Sequence, residues 1–284
     1  MILLLKLKII VLNLMIETKS ILRYPGGKFG VRKQIYEYFK YFDTIISSFC
    51  GGCHCELYFA NMGKKVICSD IDKNLINCWQ QLCNNRDEMY DYAKYYYNFF
   101  HSNISKEEKR EEYYRIRENA KQFLDIKGAA EYFITNRISF SGLGLKGGFS
   151  EDSIYKNLGY LILKRLEEWK KPEGFEIPVC MDFEELLNKY PTYSIFLDPP
   201  YYMLKGFLYV HHKDFNHERL AEVLKKRNTP WMMTYNDCPE IRSLYSSDDI
   251  RIEERSWTYS MAKGKRNEGK ARQGNELFIS KGIL

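Results

Sequence analysis

A strand–turn–helix–strand unit in the first third of the chain constrains the fold more than any other feature. The apolar run Asp43–Phe49 leads into the small-residue turn CGGCHC, and the helical segment Glu56–Gly63 ends in a glycine suited to a helix C-terminus. A second apolar run, KKVICSD, ends at Asp70. Parallel strands need a crossover of this kind, usually a helix, so the segment predicts the opening βαβ unit of an α/β fold with a parallel sheet.

The alternation of strands and helices is interrupted between residues 85 and 172. This stretch is charged, tyrosine-rich and helical in pattern, and Ser105 forms a capping box with Glu108. Alternation resumes with EIPVCMDFEELL and YSIFLDPPYY, and strands follow at PWMMTYND and NELFIS. We predict an N-terminal extension over residues 1–14, an α/β half over 15–84, a helical insert over 85–172 and a second α/β half over 173–284.

The composition is compatible with a nucleic-acid partner but does not indicate one by itself. Lys and Arg number 43 against 37 Asp and Glu, a net charge of +6. Eight cysteines without a secretory leader are typical of reduced cytosolic thiols, so we expect a cytoplasmic protein. The apolar N-terminus is broken by Lys6 and Lys8 and is too short to span a bilayer. We expect an upstream start, with Met15 a plausible initiator, rather than a membrane anchor.

The glycine turn after the first strand indicates a nucleoside-binding site. At Phe49 and Gly51 the backbone can approach a ligand closely, and Asp70 ends the next strand about twenty residues on, where a carboxylate can accept hydrogen bonds from a ribose. The turn lacks the full GxGxxG pattern, which argues against a pyrophosphate cofactor. A nucleoside cofactor without phosphates fits better; the alternative is a plain turn.

The stretch YSIFLDPPYY ends a strand in a stiff corner. Proline has no backbone N–H, so the strand must stop at Asp198. An amino group on an aromatic base is a poor nucleophile because its lone pair is delocalised into the ring. A carboxylate and a backbone carbonyl that accept its two N–H bonds would draw that lone pair toward an electrophile. Asp198, the carbonyl of Pro199 and the ring of Tyr201 supply two acceptors and a stacking surface, with Pro200 holding the corner stiff.

This corner, the upstream loop RYPGGK and the βαβ unit between them resemble the D12 class, Dam-like DNA adenine N6-methyltransferases, from about Ile16 to the C-terminus. The resemblance implies a Rossmann-like S-adenosylmethionine-dependent methyltransferase fold with an inserted helical target-recognition subdomain at residues 85–172. It also implies S-adenosylmethionine as cofactor and direct transfer to adenine N6 after the base is flipped out of duplex DNA.

The resemblance assigns roles to particular residues. Asp70 would hold the ribose, and Asp182 with Phe183 would bind the adenine of the cofactor. The predicted catalytic residues are Asp198, Pro199, Pro200 and Tyr201. The predicted cofactor-binding residues are Tyr24, Lys28, Phe49, Gly51, Asp70, Asp182, Phe183 and Asp198.

The loop NRISFSGLGLKGGFS resembles the hairpin with which this family reads DNA. Ser141 replaces the usual Asn, and Leu145 stands where GATC-reading members carry an arginine that can grip guanine. We therefore expect a recognition site other than GATC, or a relaxed one; the alternative is a solvated glycine loop. The predicted DNA-binding residues are Lys28, Arg137, Phe140, Ser141, Leu143, Leu145 and Lys146.

The turn CGGCHC also suggests zinc. Its candidate ligands are Cys50, Cys53, His54 and Cys55, but no second ligand pair follows and a tight turn cannot wrap one ion with four groups. We expect no metal. Cys53 departs from the family pattern, which usually has glycine there, and this puts the local backbone path in question.

Several alternatives remain open at this stage. The basic loop Lys263–Arg272 suits phosphate contacts or is simply solvated. We interpret His211, His212 and His217 as surface or lining residues. The rival functions are N4-cytosine methylation, which also requires activation of a weakly nucleophilic amino group on a base, and DNA binding by a catalytically silent relative. We expect a monomer or weak dimer in a phage or bacterial setting, with double-stranded DNA as partner and no membrane; a companion restriction endonuclease is left open.

Overall fold

The structure is a computed structural model that describes residues 18–202, 215–258 and 273–283. The extension 1–14 with Met15, the histidines His211 and His212, and the basic loop Lys263–Arg272 lie outside the described residues. Among the described residues, no helix combines the length and apolarity needed to cross a bilayer.

Seven strands form one mixed sheet in the order β3-β2-β1-β4-β5-β7-β6. The first five are parallel, and β7 runs antiparallel to both β5 and β6. The parallel α/β fold predicted from the sequence is confirmed. The strands are β1 (Thr44–Ser48), β2 (Lys65–Asp70), β3 (Val179–Cys180), β4 (Ser194–Leu197), β5 (Trp231–Asn236), β6 (Ile250–Thr258) and β7 (Gln273–Lys281).

Helices cover both faces of the sheet, so its apolar strands are buried on both sides. Two clusters of buried side chains result, one on each face. The helices of the two α/β halves are Arg32–Phe39, His54–Asn61, Lys73–Asn84, Phe183–Lys189, His217–Lys225 and Pro239–Leu244.

The stretch 85–172 is helical, and no strand forms within it, although the whole stretch is described. Ser105 and Glu108 form the capping box read from the sequence. Its helices are Arg86–His101, Lys106–Gln122, Ile126–Ile138, Glu151–Asn157 and Tyr160–Glu168. One continuous buried cluster runs from the sheet into this stretch, and Trp79 contacts Trp169 across the boundary. The helical insert therefore shares a buried core with the sheet of the α/β halves.

Several of the predicted site residues lie where the parallel strands end. The carboxyl ends of β1, β2 and β4 lead directly into Phe49, Ile71 and Asp198. The chain order of the strands reverses between β1 and β4, and a crevice at such a switch point is where ligands bind in open α/β sheets.

Candidate active site

The glycine turn has an unusual backbone path. Phe49, Gly51 and Cys53 all have positive φ, at 63°, 45° and 49°. A Cβ on Gly51 would lie 2.6 Å from a ring carbon of Tyr24, so glycine is needed there both for its conformation and for the close approach of the PGGK loop. Cys53, at the position of the usual glycine, adopts the left-handed conformation itself and begins the helix His54–Asn61.

Asp70 fastens this turn to the end of β2. The Gly51 N–H donates to its Oδ2 at 3.0 Å, and the Asp72 N–H donates to its Oδ1 at 3.1 Å. Burial raises the pKa of Asp70 to about 6, although both hydrogen bonds oppose that shift. The carboxylate is thus placed beside the turn, as an acceptor for a ribose would be.

A cavity of about 250 Å³ opens at the carboxyl ends of the strands. The rings of Phe49 and Phe183 lie on its wall, with centroids 5.6 Å apart. Lys28 and Gly51 line an adjoining space of about 30 Å³, and Tyr24, Phe49 and Asp198 border both. The predicted cofactor-binding residues on the larger cavity are Tyr24, Phe49, Asp70, Asp182, Phe183 and Asp198.

Arg219 is a residue of this cavity that the sequence did not suggest. It lies on the helix His217–Lys225 and donates to Asp182 Oδ1 at 2.7 Å, with Glu184 Oε2 also 2.6 Å from its Nη2. Its guanidinium is 4.7 Å from the centroid of the Phe183 ring. Asp182 also caps the helix Phe183–Lys189, accepting from the Glu184 N–H. The acceptor predicted for the cofactor's adenine is therefore shared with an arginine 37 residues away in the chain.

The DPPY corner, Asp198–Tyr201, forms an ion pair with the PGGK loop, Arg23–Lys28. Lys28 Nζ lies 2.8 Å from Asp198 Oδ1 and donates to Oδ2 at 3.0 Å and to the Gly26 carbonyl at 2.8 Å. The hydroxyl of Thr234, on β5, donates to Asp198 Oδ1 at 2.6 Å. The carboxylate that is predicted to be catalytic is thus fixed from two directions.

Tyr201 is turned into the protein. Its side chain is 7% exposed, its ring stacks on Tyr235 with centroids 6.0 Å apart, and Lys28 Nζ lies 4.9 Å from its centroid. The Tyr202 N–H donates to Asn236 Oδ1, and the Asn236 amide donates back to the Tyr202 carbonyl. These contacts hold the corner against β5.

Thr234 and Glu276 were both missed by reasoning from the sequence. Glu276, on β7, is 1% exposed, and its Oε2 lies 3.7 Å from Lys28 Nζ. A polar residue in the apolar strand WMMTYN and an acid in NELFIS were the available signals. Neither feature of the sequence identifies the partner of the polar residue, because the contacts of Thr234 with Asp198 and of Glu276 with Lys28 depend on the order of the strands in the sheet.

The predicted recognition loop, residues 136–150, lies against the PGGK loop. Residues Phe140–Gly142 and Gly144–Lys146 form two short 3₁₀ turns, and the Gly144 N–H donates to the Ser139 hydroxyl at 2.9 Å. Phe140 is 64% exposed, and Ser141 is exposed at a positive φ of 54°. Leu143, Leu145 and Lys146 line a small space together with Tyr24 and Pro25.

Arg137 differs from the other predicted DNA-binding residues. Its Nε donates to the Asn157 carbonyl at 2.7 Å and its Nη1 to the Ile21 carbonyl at 3.2 Å. Burial lowers its pKa to about 9. The side chain of neighbouring Asn136 accepts a hydrogen bond from the Arg23 N–H and donates one to the Arg23 carbonyl. Through these contacts Arg137 helps to hold the segment that precedes the PGGK loop. A contact between Arg137 and DNA stays a prediction.

Three cysteines converge next to the glycine turn, but they are not the set considered from the sequence. The Sγ atoms of Cys50, Cys53 and Cys68 all lie within 4.8 Å of one another and are buried. Cys68 lies on β2, and the parallel pairing of β2 with β1 places it next to the glycine turn. In the described part of the chain Cys55 and His54 do not belong to this group.

The chain also matches known proteins. The sequence profile of one methyltransferase family matches residues 24–261. "DNA N-6-adenine-methyltransferase" of Escherichia phage P1 is 29% identical over 83% of this chain, which spans only 32% of that relative's length. "Type II methyltransferase M.MjaIII" of Methanocaldococcus jannaschii is 27% identical over 74% of this chain and 80% of its own. "Type II methyltransferase M1.LlaDCHI" of Lactococcus lactis subsp. cremoris is 23% identical over 83% of this chain and 87% of its own. The matched profile covers most of the chain and describes the D12 class N6 adenine-specific DNA methyltransferases, so this chain belongs to that family.

Proposed function

We propose that this protein transfers a methyl group from S-adenosylmethionine to adenine N6 in duplex DNA, at a base flipped into the site. The observation that carries the proposal is the position of Asp198. Its carboxylate follows β4, is fixed by Lys28 and Thr234, and borders the cavity that Asp70 and Phe183 also line.

The cavity suits a nucleoside with a cationic sulfonium. Asp70 offers a carboxylate beside the turn, and Phe183 offers a ring face flanked by Phe49. Asp182 lies at the same wall as an acceptor for an adenine amine. Phosphate-binding features are absent from the turn sequence Phe49–Gly52. When bound, S-adenosylmethionine supplies the electrophilic methyl group.

The chain's own residues act on the target amine. Asp198 accepts one N–H bond, and the carbonyl of Pro199 accepts the other, which directs the nitrogen lone pair away from the ring. The hydrogen bond from Thr234 and the ion pair with Lys28 fix the carboxylate before the base arrives. A preorganised acceptor avoids the reorganisation that water would require.

The predicted DNA-contacting surface is continuous with this site. The predicted recognition loop and the PGGK loop line one small cavity, to which Leu145, Lys146 and Tyr24 contribute. The Phe140 side chain is exposed to solvent. Leu145 offers no hydrogen-bond donor to guanine. We therefore propose a recognition site that is not strictly GATC.

We also propose that the protein works in the cytoplasm as a monomer or weak dimer. All eight cysteines are free thiols in the structure, which suits a reducing compartment. A companion restriction endonuclease is left open.

The test is expression in a host that lacks DNA methylation, followed by nucleoside mass spectrometry and sequencing for modified bases. We expect N6-methyladenine at a defined site, and far less of it from Asp198→Ala. Detection of N4-methylcytosine instead would replace the proposed base. Unmodified DNA together with no binding of S-adenosylmethionine would indicate a silent relative.

A further inference from the structure

Arg219 lies on the wall of the large cavity, together with Asp182 and Phe183. Its Nη2 donates to Asp182 Oδ1 at 2.7 Å, and its Nε donates to Glu184 Oε2 at 2.7 Å. Its guanidinium carbon is 4.7 Å from the centroid of the Phe183 ring. One guanidinium therefore contacts both residues that are predicted to bind the adenine of the cofactor.

The backbone of Arg219 is held in place as well. The residue lies in the first turn of the helix His217–Lys225, and its N–H donates at 2.8 Å to Oδ1 of Asn216, which caps that helix. The Arg219 side chain is 43% exposed, so it contributes little to the core. Its planar guanidinium presents several N–H donors in a rigid fork, which suits the orientation of carboxylates.

The two carboxylate oxygens of Asp182 are left unequal by these contacts. Oδ1 accepts from Arg219 Nη2 and, at 3.0 Å, from the Glu184 N–H. Among the described residues, Oδ2 has one longer contact, with Arg219 Nη1 at 3.4 Å. Because a carboxylate oxygen has two lone pairs, Oδ1 is fully used, whereas Oδ2 keeps the capacity to accept a short bond from a ligand.

We propose that Arg219 is a positioning residue that makes the cavity select adenine as the base of the cofactor. By binding Oδ1, it orients Asp182 so that Oδ2 is offered to a donor in the ligand, and the amino group of adenine is such a donor. Hypoxanthine has a carbonyl at the same position, which would set one acceptor against another. This inference rests on the proposed function, and it gives Arg219 a role that acts through Asp182.

The decisive measurement compares two ligands that differ only in the base. S-adenosylhomocysteine carries adenine, and S-inosylhomocysteine carries hypoxanthine. We expect the natural protein to bind the adenine compound on the order of tenfold more tightly, as one hydrogen bond to a charged group would give. Arg219→Met keeps an unbranched side chain but removes its donors, and it should bring the ratio of the two affinities close to one, mainly by weakening the adenine compound. Isothermal titration calorimetry on the full chain gives both affinities.

Asp182→Asn tests the orientation directly. Arg219 and the Glu184 N–H are both donors, so the amide oxygen of the new side chain should take the place of Oδ1 and its NH₂ group should be offered to the ligand. We expect this variant to bind the hypoxanthine compound more tightly than the adenine compound. In Asp182→Asn combined with Arg219→Met, the reversal should be weaker, because one of the two donors that orient the amide is gone. An Asp182→Asn variant that prefers adenine as strongly as the natural protein does would refute the inference.

Two further arginine variants serve as controls. Arg242 also bridges two carboxylates, with Nη2 at 2.9 Å from Asp237 Oδ2 and 2.6 Å from Glu254 Oε1, so Arg242→Met should leave the ratio of the two affinities unchanged. Arg219→Lys keeps the positive charge without the fork and should recover only part of the ratio that Arg219→Met loses. Melting curves check that each variant is folded.

The outcomes separate this inference from the proposed function. A ratio that stays at its natural value in Arg219→Met, whether both affinities fall equally or neither falls, would overturn the positioning role. A natural protein that binds the two compounds equally well would overturn it too. A natural protein that binds neither compound would instead refute the proposed function.

Discussion

The hydroxyl of Thr234 donates a 2.6 Å hydrogen bond to Oδ1 of Asp198. Thr234 is fully buried on β5, and Asp198 follows the neighbouring strand β4. Because the strand pairing fixes one residue relative to the other, the carboxylate has a defined orientation before any ligand arrives. The opposite side of the carboxylate is held by Lys28.

Thr234→Val is expected to lower turnover about tenfold, which corresponds to the loss of one hydrogen bond to a charged group. Valine keeps the shape of the side chain and fits a buried strand, so the melting temperature should stay close to that of the natural protein. Methyl transfer from labelled S-adenosylmethionine to DNA gives the rate. Thr234→Ser, which keeps the hydroxyl, should retain most activity.

The matched control is Thr135→Val, at a buried threonine in the insert whose hydroxyl has no hydrogen-bond partner among the described residues. It should leave turnover unchanged. Equal losses from the two valine variants would show that general packing, and not the bond to Asp198, explains the effect.

Asp198→Ala is expected to lower turnover on the order of a hundredfold or more, because it removes a preorganised charge-assisted acceptor. Folding should survive, since the side chain is 21% exposed at a strand end. DNA binding should persist, because phosphate contacts position a protein on DNA independently of this corner. Asp198→Asn keeps one acceptor oxygen and should retain a trace of activity.

Asp237→Ala controls for loss of an acid from the same edge of the sheet, since Asp237 is paired with Arg242 instead. Near-normal methylation by Asp198→Ala would refute the amine clamp.

Phe140→Ala tests the recognition loop. Because its ring is 64% exposed, the change should not alter the melting temperature, and we expect DNA affinity to fall about tenfold through loss of apolar or stacking contact. Binding of S-adenosylmethionine should be unaffected. Tyr41, which is 85% exposed before the amino end of β1, provides the control Tyr41→Ala. If both variants bind DNA as the natural protein does, the loop is merely solvated.

Zinc is expected neither to copurify with the protein nor to affect its stability. The described residues bring together three thiols, Cys50, Cys53 and Cys68, whereas structural zinc takes four ligands. Three thiolates around a divalent cation would also leave a negative charge in the interior, near the buried Asp70. Metal analysis and melting curves with and without a chelator check this. Stoichiometric zinc, with unfolding on its removal and none in Cys68→Ser, would contradict it.

The sequence predicted the parts of the site that are local in the chain. The glycine turn, Asp70 and the DPPY corner each lie at the end of a strand whose apolar pattern is plain. Because the carboxyl ends of parallel strands meet at one edge, their convergence followed from recognising the βαβ pattern. The resemblance to a known family then supplied the roles.

The rest could not be predicted because it depends on long-range pairing. Glu276 meets Lys28 only because β7 inserts beside β5 in an antiparallel direction. Cys68 joins Cys50 and Cys53 only through the register of β1 and β2. Strand β6 was missed as well: its sequence IRIEERSWT is highly charged, as suits an edge strand.

Glu56 gives the protein a definite pH dependence of stability. The side chain is buried, and burial, followed by the influence of Cys50, raises its pKa from 4.5 to about 8. The Ser47 hydroxyl donates to its Oε1 at 2.6 Å. Between about pH 4.5 and pH 8 the folded state holds a proton that the unfolded state has released. The free energy of unfolding should therefore fall as the pH rises through this range.

Glu56→Gln removes this ionisation but keeps the size of the side chain and its acceptor oxygen. We expect the variant to match the natural protein near pH 5 and to become progressively more stable than it toward pH 8, by up to a few kcal/mol, on the order of 1.4 kcal/mol per pKa unit. Asp70, whose pKa is raised to about 6, contributes a slope of the same sign at lower pH in both proteins, so it cancels in the comparison. Urea unfolding at pH 5, 6, 7 and 8 measures the difference, and Glu107→Gln, at an exposed position in a helix, should show no such divergence. A stability difference between Glu56→Gln and the natural protein that does not change with pH would show that Glu56 is not protonated in the folded state at neutral pH.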